Sequence, residues 1–378
     1  MRDYPSYHRH LVFKRLLTRT LTAGLGLKVR LRPARLPERA SGSVVLLDRS
    51  LGLGDALMIS PALRLLERLG PVTVVTALPP LLDWTGEWLR CPDWPAMTEA
   101  VKRLTSEGRL LLVPKLGVKG LLTLLTWRGG LPAGVLWLGP EGFIDTVSGA
   151  RGTVRDRHYT AAALVRARAL LRQAGGDGAP GPAPDRLPPR LPEDGGAGLD
   201  LPAGRLVALA PWATSRIRRW PLEHWSLLIS RLAAARPELG FVLLGSAEER
   251  PFGAIIEAGQ RDARVHNLMG ELSLTETAAA IARSAALVAS DNGLMHLGLG
   301  VGTPLVAIFG STDPAARLCG ERWRVACDPG LCPHGLAPCY PDLHRDPACP
   351  TEAECLSGLS PEGVAALVLE CLEVERAE

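Results

Sequence analysis

From Val44 onward the chain alternates short runs of consecutive apolar residues with longer runs whose apolar positions recur every three or four residues. "VVLLD" at 44–48 leads into "DALMISPALRLLERLG" and then "VTVVTA". Strand, helix and strand at this spacing make a parallel βαβ unit. "RLLLVPKL" and "AGVLWLG" read as further strands, and "RHYTAAALVRARALLRQAG" (157–175) as an amphipathic helix stopped by a glycine. Residues 175–204 break the pattern. They are dense in Gly, Pro and Asp and read as a linker.

The pattern then restarts. "RLVALAP", "GFVLLGS", "ALVASD" and "PLVAIFG" are strands. "PLEHWSLLISRLAAARPEL" is a helix with Pro221 in its first turn, and "ERPFGAIIEAGQ" is helical. "SLTETAAAIARSA" is a helix that Ser273 caps, with Glu276 placed for a capping box. "NGLMHLGLGVG" is a short helix, and "SPEGVAALVLECLEVE" closes the chain as another. The expected fold class is α/β, with two Rossmann-like, doubly wound sheets facing a cleft. The expected boundaries are a basic extension at 1–42, a first domain at 43–174, the linker at 175–204 and a second domain at 205–378. Ligands in such sheets bind beyond the carboxyl ends of the strands, so chemistry is expected just after the strand runs.

Composition narrows the picture. A length of 378 residues allows two cores, and 47% hydrophobic with 22% charged residues is a globular balance. No stretch reads as a membrane span or a signal peptide, which makes the cytoplasm the expected location. The net charge of +4 conceals an asymmetry, because residues 1–40 hold ten Lys/Arg against two acids. This Leu/Arg-rich segment suits either a solvated extension or an anionic membrane surface, with peripheral attachment to the inner membrane as the corresponding expectation. Nucleic acid is not expected, because no aromatic stacking pattern accompanies the basic residues. Five of the eight cysteines, Cys327, Cys332, Cys339, Cys349 and Cys355, lie close together with no C-x-x-C pair. They read as reduced thiols in a Pro-rich loop or, more weakly, as a structural metal site.

Candidate chemistry follows the strands. "RSLGLGDALM" has Gly52 and Gly54, but Leu57 stands where a dinucleotide loop needs its third glycine. Asp55 at the helix start is either an N-cap or a base accepting a proton from a substrate hydroxyl. "APWATSRIRRWP" offers Thr214, Ser215 and Arg218 beside a helix N-terminus, a combination suited to a diphosphate. Glu248 and Glu249 follow the next strand and are candidates for ribose hydroxyls or merely first-turn acids. "ASDNGLMH" places Asp291, Asn292 and Gly293 at a helix entrance with His296 one turn in, where Gly293 lets a ligand approach backbone N–H groups. "FGSTDP" (309–314) is a polar turn after a strand.

Together these stretches resemble glycosyltransferase family 9, the ADP-heptose:lipopolysaccharide heptosyltransferases. The resemblance rests on "GLGDALMISPALRLL", "APWATSRIRRWPLEHW", "LLGSAEE", residues 268–314 and "CLSGLSPEGVAAL", in the family's order. It implies a GT-B fold, with an acceptor-binding first domain and a nucleotide-sugar-binding second domain. It implies Asp55 as general base, and Thr214, Ser215 and Arg218 at the diphosphate. It also implies Glu248 or Glu249 at the ribose, and Asp291, Gly293 and His296 in the donor motif. Two positions depart from the family: Arg218 replaces a common Lys, and Asn292 the usual Ser/Thr.

The expected reaction is inverting, metal-independent transfer of a heptose-type sugar from an ADP-sugar to a lipopolysaccharide-core or similar surface-glycan acceptor, with no cofactor. No Asp-x-Asp metal motif is present. Arg64 and Lys115 are candidates for acceptor phosphates. The competing expectations are a protein O-heptosyltransferase-like enzyme with a Cys-bound metal, and a non-catalytic nucleotide-sugar-binding protein.

Overall fold

The computed structural model describes residues 4–47, 52–114, 118–127, 130–139, 142–153, 159–179, 187–260, 264–318, 320, 322–333, 337–339, 349 and 353–374. The chain divides into two compact units, Met1–Leu187 and Pro188–Glu378. The division falls inside the Gly/Pro-rich stretch.

The first unit contains strands β1 (Ser43–Leu46), β2 (Val72–Thr76), β3 (Glu87–Arg90), β4 (Leu110–Val113), β5 (Gly134–Gly139), β6 (Gly142–Asp145) and β7 (Arg151–Thr153). They form one sheet in the order β3-β2-β1-β4-β5-β6-β7. Strands β1 to β5 pair in parallel, and β6 and β7 add antiparallel at one edge. Its helices are α1 (Tyr4–Leu31), α2 (Leu53–Met58), α3 (Ser60–Leu66), α4 (Trp94–Ser106), α5 (Val118–Thr126) and α6 (Tyr159–Gln173).

The basic extension is not a frayed tail, because helix α1 is folded into the unit. Leu21, Leu25 and Val29, four residues apart, lie in one core cluster with Val44, Leu46 and Val113. Leu25 and Val29 are fully enclosed, and side-chain burial of this kind contributes roughly 2 kcal/mol each. Lys28 Nζ donates to the carbonyls of Leu124, Leu125 and Trp127 at 3.1, 2.9 and 2.5 Å, capping the carboxyl end of α5. Burial, followed by the nearby Arg32 charge, lowers the Lys28 pKa.

The second unit contains β8 (Arg205–Ala210), β9 (Leu239–Leu243), β10 (Arg264–Asn267), β11 (Ala286–Ser290), β12 (Leu305–Ile308) and β13 (Trp323–Ala326). Every pairing is parallel, in the order β10-β9-β8-β11-β12-β13. Counted within the unit this is 3-2-1-4-5-6, the doubly wound order of dinucleotide-binding folds. Its helices are α7 (Leu222–Ala235), α8 (Arg250–Ala258), α9 (Leu274–Ala282), α10 (Gly293–Val301), α11 (Glu354–Ser357) and α12 (Pro361–Val374). The strands read as apolar runs because both faces are covered, and β8, β9, β11 and β12 are buried almost throughout. Trp220, Trp225 and Phe241 anchor the core, and α12 closes it with Val364, Val368 and Leu372.

Local signals set the helix limits. The α9 capping box forms as expected, with Ser273 N donating to Glu276 Oε2 at 2.7 Å and Glu276 N to Ser273 Oγ at 3.3 Å. Helix α10 starts on the Asn292 cap and stops at Gly302, whose φ of 81° a side chain would disfavour.

Candidate functional site

In the second unit the strand order reverses between β8 and β11, the position where open α/β sheets bind ligands. Thr214, Ser215 and Arg218 follow β8, and Asp291, Asn292, Gly293 and His296 follow β11. The fold therefore brings together two stretches more than 70 residues apart in sequence.

Asn292 ties them. Its Oδ1 accepts from Met295 N at 3.0 Å, capping α10, while its Nδ2 donates to Ala210 O at 3.0 Å and Trp212 O at 2.8 Å. A hydroxyl has one proton and could not make both donations, which gives the amide at this position a physical rationale. Ser290 Oγ adds a bond to Pro211 O at 3.0 Å. Arg219 braces the same loop through Ala213 O and Thr214 O at 2.6 and 3.0 Å. Its guanidinium also sits 3.8 Å from the Trp212 ring centre, and that ring stacks on Phe252 at 3.5 Å. Within this braced loop Thr214 is exposed and Ser215 is buried.

The electrostatic centre is Asp291, 3% exposed. Arg218 Nη1 donates to the Asp291 carbonyl at 2.9 Å and lies 3.4 Å from Oδ2. Burial drives the Asp291 carboxyl pKa up. The charges of Arg317, Arg218 and His296, with the Thr312 hydroxyl beside it, outweigh burial and hold the pKa below its ordinary value. His296 is 3% exposed, Thr312 3% and Arg317 9%. Arg218 thus pairs with this carboxylate, and the Arg317 charge acts on it too, beside the amino end of α10. Such a site suits an anion, a diphosphate above all.

Arg317 and Thr312 were not among the sequence candidates. The turn after β12 supplies both, and β12 pairs with β11, so sheet neighbourhood brings them to Asp291. Only the position of "FGSTDP" after a strand gave any signal.

The two glutamates after β9 differ. Glu249 Oε2 accepts from Ser246 N at 2.9 Å in a capping box, and burial raises its pKa. Glu248 is exposed at the same turn, where a backbone hydrogen bond and Ser246 lower its pKa.

In the first unit Asp55 stands on the turn after β1, at the third helical position of α2. Gly52 is the cap residue, and Asp55 Oδ2 accepts its N–H at 3.2 Å. The acid thus reaches back to the helix start and is half-buried. Arg64 is exposed in the last turn of α3, and Lys115 lies outside the described residues.

The five cysteines separate. Burial raises Cys355 to about 11, helped by Cys332, Cys339 and Cys349, so these four thiols lie within electrostatic reach. Cys327 is raised by burial and then by Asp328 and Asp313, apart from the others. Among the described residues no group of three or more His, Cys, Asp or Glu is arranged to hold a metal ion.

Residues 151–320 match the model of glycosyltransferase family 9 (heptosyltransferase). This stretch, just under half of the chain, is what resembles that family. This family segment contains every donor-side candidate above. The lipooligosaccharide heptosyltransferase 2 of Haemophilus influenzae is 36% identical over 100 residues, which is 26% of this chain and 28% of that protein. The match thus spans under a third of the curated relative. Two solved structures share the fold. Escherichia coli ADP-heptose lipopolysaccharide heptosyltransferase II has a TM-score of 0.58 at 19% identity, over 88% of this chain and 99% of that one. The iron-containing dodecameric glycosyltransferase TibC of enterotoxigenic E. coli H10407 has a TM-score of 0.56 at 15% identity, over 90% and 78%.

Proposed function

We propose that this chain is an inverting, metal-independent glycosyltransferase that moves a heptose-type sugar from an ADP-sugar to a lipopolysaccharide-core or similar glycan acceptor. The Asp291–Arg218 pair at the β8/β11 reversal, with the Arg317 charge acting on the same carboxylate, carries this reading. These guanidiniums, together with the α10 amino end, suit the diphosphate of a nucleotide sugar and the charge that grows on it as the sugar departs. The family match over residues 151–320 and the heptosyltransferase relatives support the sugar class.

Asp55 takes the proton of the acceptor hydroxyl, whose oxygen attacks the anomeric carbon as the bond to the diphosphate breaks. A base of this kind contributes roughly 100- to 10,000-fold in rate. Thr214 and Ser215 hydroxyls hold diphosphate oxygens, and Glu248 takes the ribose, since the Glu249 carboxylate is engaged in its cap.

Two measurements test the proposal. ADP-sugars should raise the thermal transition more than UDP- or GDP-sugars do. Asp55→Asn, which keeps an oxygen for the Gly52 N–H, should cut turnover while leaving donor affinity unchanged. Equal stabilisation by all three nucleotide classes, or equal loss of turnover and affinity, overturns it.

A second reading is a protein-modifying transferase with a structural metal on Cys332, Cys339, Cys349 and Cys355. The mutual effect of these thiols and the fold likeness to iron-containing TibC favour it, whereas their present arrangement does not form a site. Stoichiometric iron or zinc in the purified protein, lost in Cys355→Ser, would establish it.

A further inference from the structure

Helix α1 turns Leu21, Leu25 and Val29 inward and presents an opposite face to solvent. Leu27 and Leu31, one turn apart, point away from that buried stripe and are 57% and 72% exposed. Leu36, in the segment that follows, is 45% exposed. Large apolar side chains this open, clustered within ten residues, are unusual on a folded surface.

The charge around them has one sign. Arg19, Arg30, Arg32, Arg35 and Arg39 are all exposed, against the single acid Glu38. Lys28 is engaged with the α5 carbonyls and is not part of this set. The sequence adds Arg9, Lys14 and Arg15 to the same helix. No described helix is long and apolar enough to cross a membrane. An amphipathic basic helix with exposed leucines has the chemistry to lie in the plane of a negatively charged lipid surface.

We propose that this face of α1, with the segment to Arg39, docks the protein on an anionic bilayer, the leucines entering the headgroup region and the arginines contacting lipid phosphates. The proposal stands on α1 and the segment that follows it, and does not depend on the transferase reading. Its structural basis is that α1 is built into the first unit. The inward leucines and the Lys28 cap fix the helix, so the outward face is presented ready-made and needs no folding on contact.

The test is flotation of the full chain with phosphatidylcholine vesicles, with and without phosphatidylglycerol. Binding should require the anionic lipid and weaken with salt. Leu27→Ser with Leu31→Ser should release the protein, and Arg30→Gln with Arg32→Gln and Arg35→Gln should weaken binding about five-fold per arginine. Both variants should keep the wild-type thermal transition, because the altered side chains are exposed. The proposal fails if the chain ignores phosphatidylglycerol vesicles, or if both variants bind as the wild type does. It also fails if the chain dimerises without lipid and the leucine variant is monomeric, since a second copy would then own the face.

Discussion

Replacing Asp291 by Asn tests the electrostatic core of the second unit's candidate site. The substitution keeps the side-chain shape and removes one negative charge that Arg218, Arg317 and His296 surround. The Asp291 side chain is 4% exposed and Arg218 20%, so water screens the pair little on one side and partly on the other. Breaking a buried pair by removing one partner costs roughly 3–5 kcal/mol, and the partial exposure of Arg218 points to the lower end. For a unit of this size about 3 kcal/mol corresponds to a fall on the order of 10 °C in its thermal transition. The pH dependence has a definite sign. The folded pKa of Asp291 is below its unfolded value, so the contribution is present above the unfolded pKa and disappears as pH falls through the folded one. Urea denaturation of wild type and variant at neutral pH and in acid measures both effects. The gap between the two proteins should be widest near neutrality and close in acid. Adding Arg218→Met to the variant should recover part of the loss, because fewer buried cations are then left unpaired. A neutral-pH difference below about 1 kcal/mol, within the range of an ordinary substitution, would refute the claim that this carboxylate holds Arg218 and offsets the Arg317 charge.

Other consequences follow from single side chains. Lys28→Met removes the donor to two α5 carbonyls and that of Trp127 just beyond, and should lower first-unit stability by about 1–3 kcal/mol in urea, an effect a loose N-terminal tail would not show. Arg166 is 2% exposed with no carboxylate against it among the described residues, and burial lowers its pKa to about 10. A base with a depressed folded pKa costs stability at every pH below that value, so Arg166→Met should raise the thermal transition at neutral pH. Glu249→Ala should destabilise by about 1 kcal/mol through loss of the Ser246 cap. Glu248→Ala should leave the thermal transition unmoved and weaken ADP binding measured by calorimetry.

What the sequence made legible follows from how locally each feature is determined. The central strands are runs such as "VVLL" and "ALVAS" because a parallel sheet covered on both faces needs no polar alternation, and such runs stand out. Caps are equally local, and the Ser273–Glu276 box was readable from residues three apart. Edge strands were not readable. β3 is "EWLR" and β10 is "RVHN", both partly exposed, so neither carries a continuous apolar signal. They exist because a neighbouring strand offers them a hydrogen-bonding edge. The basic segment was ambiguous for a related reason. Its inward Leu21, Leu25 and Val29 alternate with outward Leu27 and Leu31, so leucines on both faces blur the amphipathic pattern.

The candidate site divides in the same way. Asp291, Asn292 and Arg218 were legible because each lies in the turn that follows a strand, the positions where the doubly wound fold gathers its polar groups. Arg317 was not, because nothing within its own segment marks it. It gains its role from β12 lying beside β11, a neighbourhood that only the sheet order creates. There its charge reaches Asp291. Local motifs already marked the Arg218 stretch as suited to an anion, and the sheet order adds a second guanidinium whose charge acts on the same carboxylate.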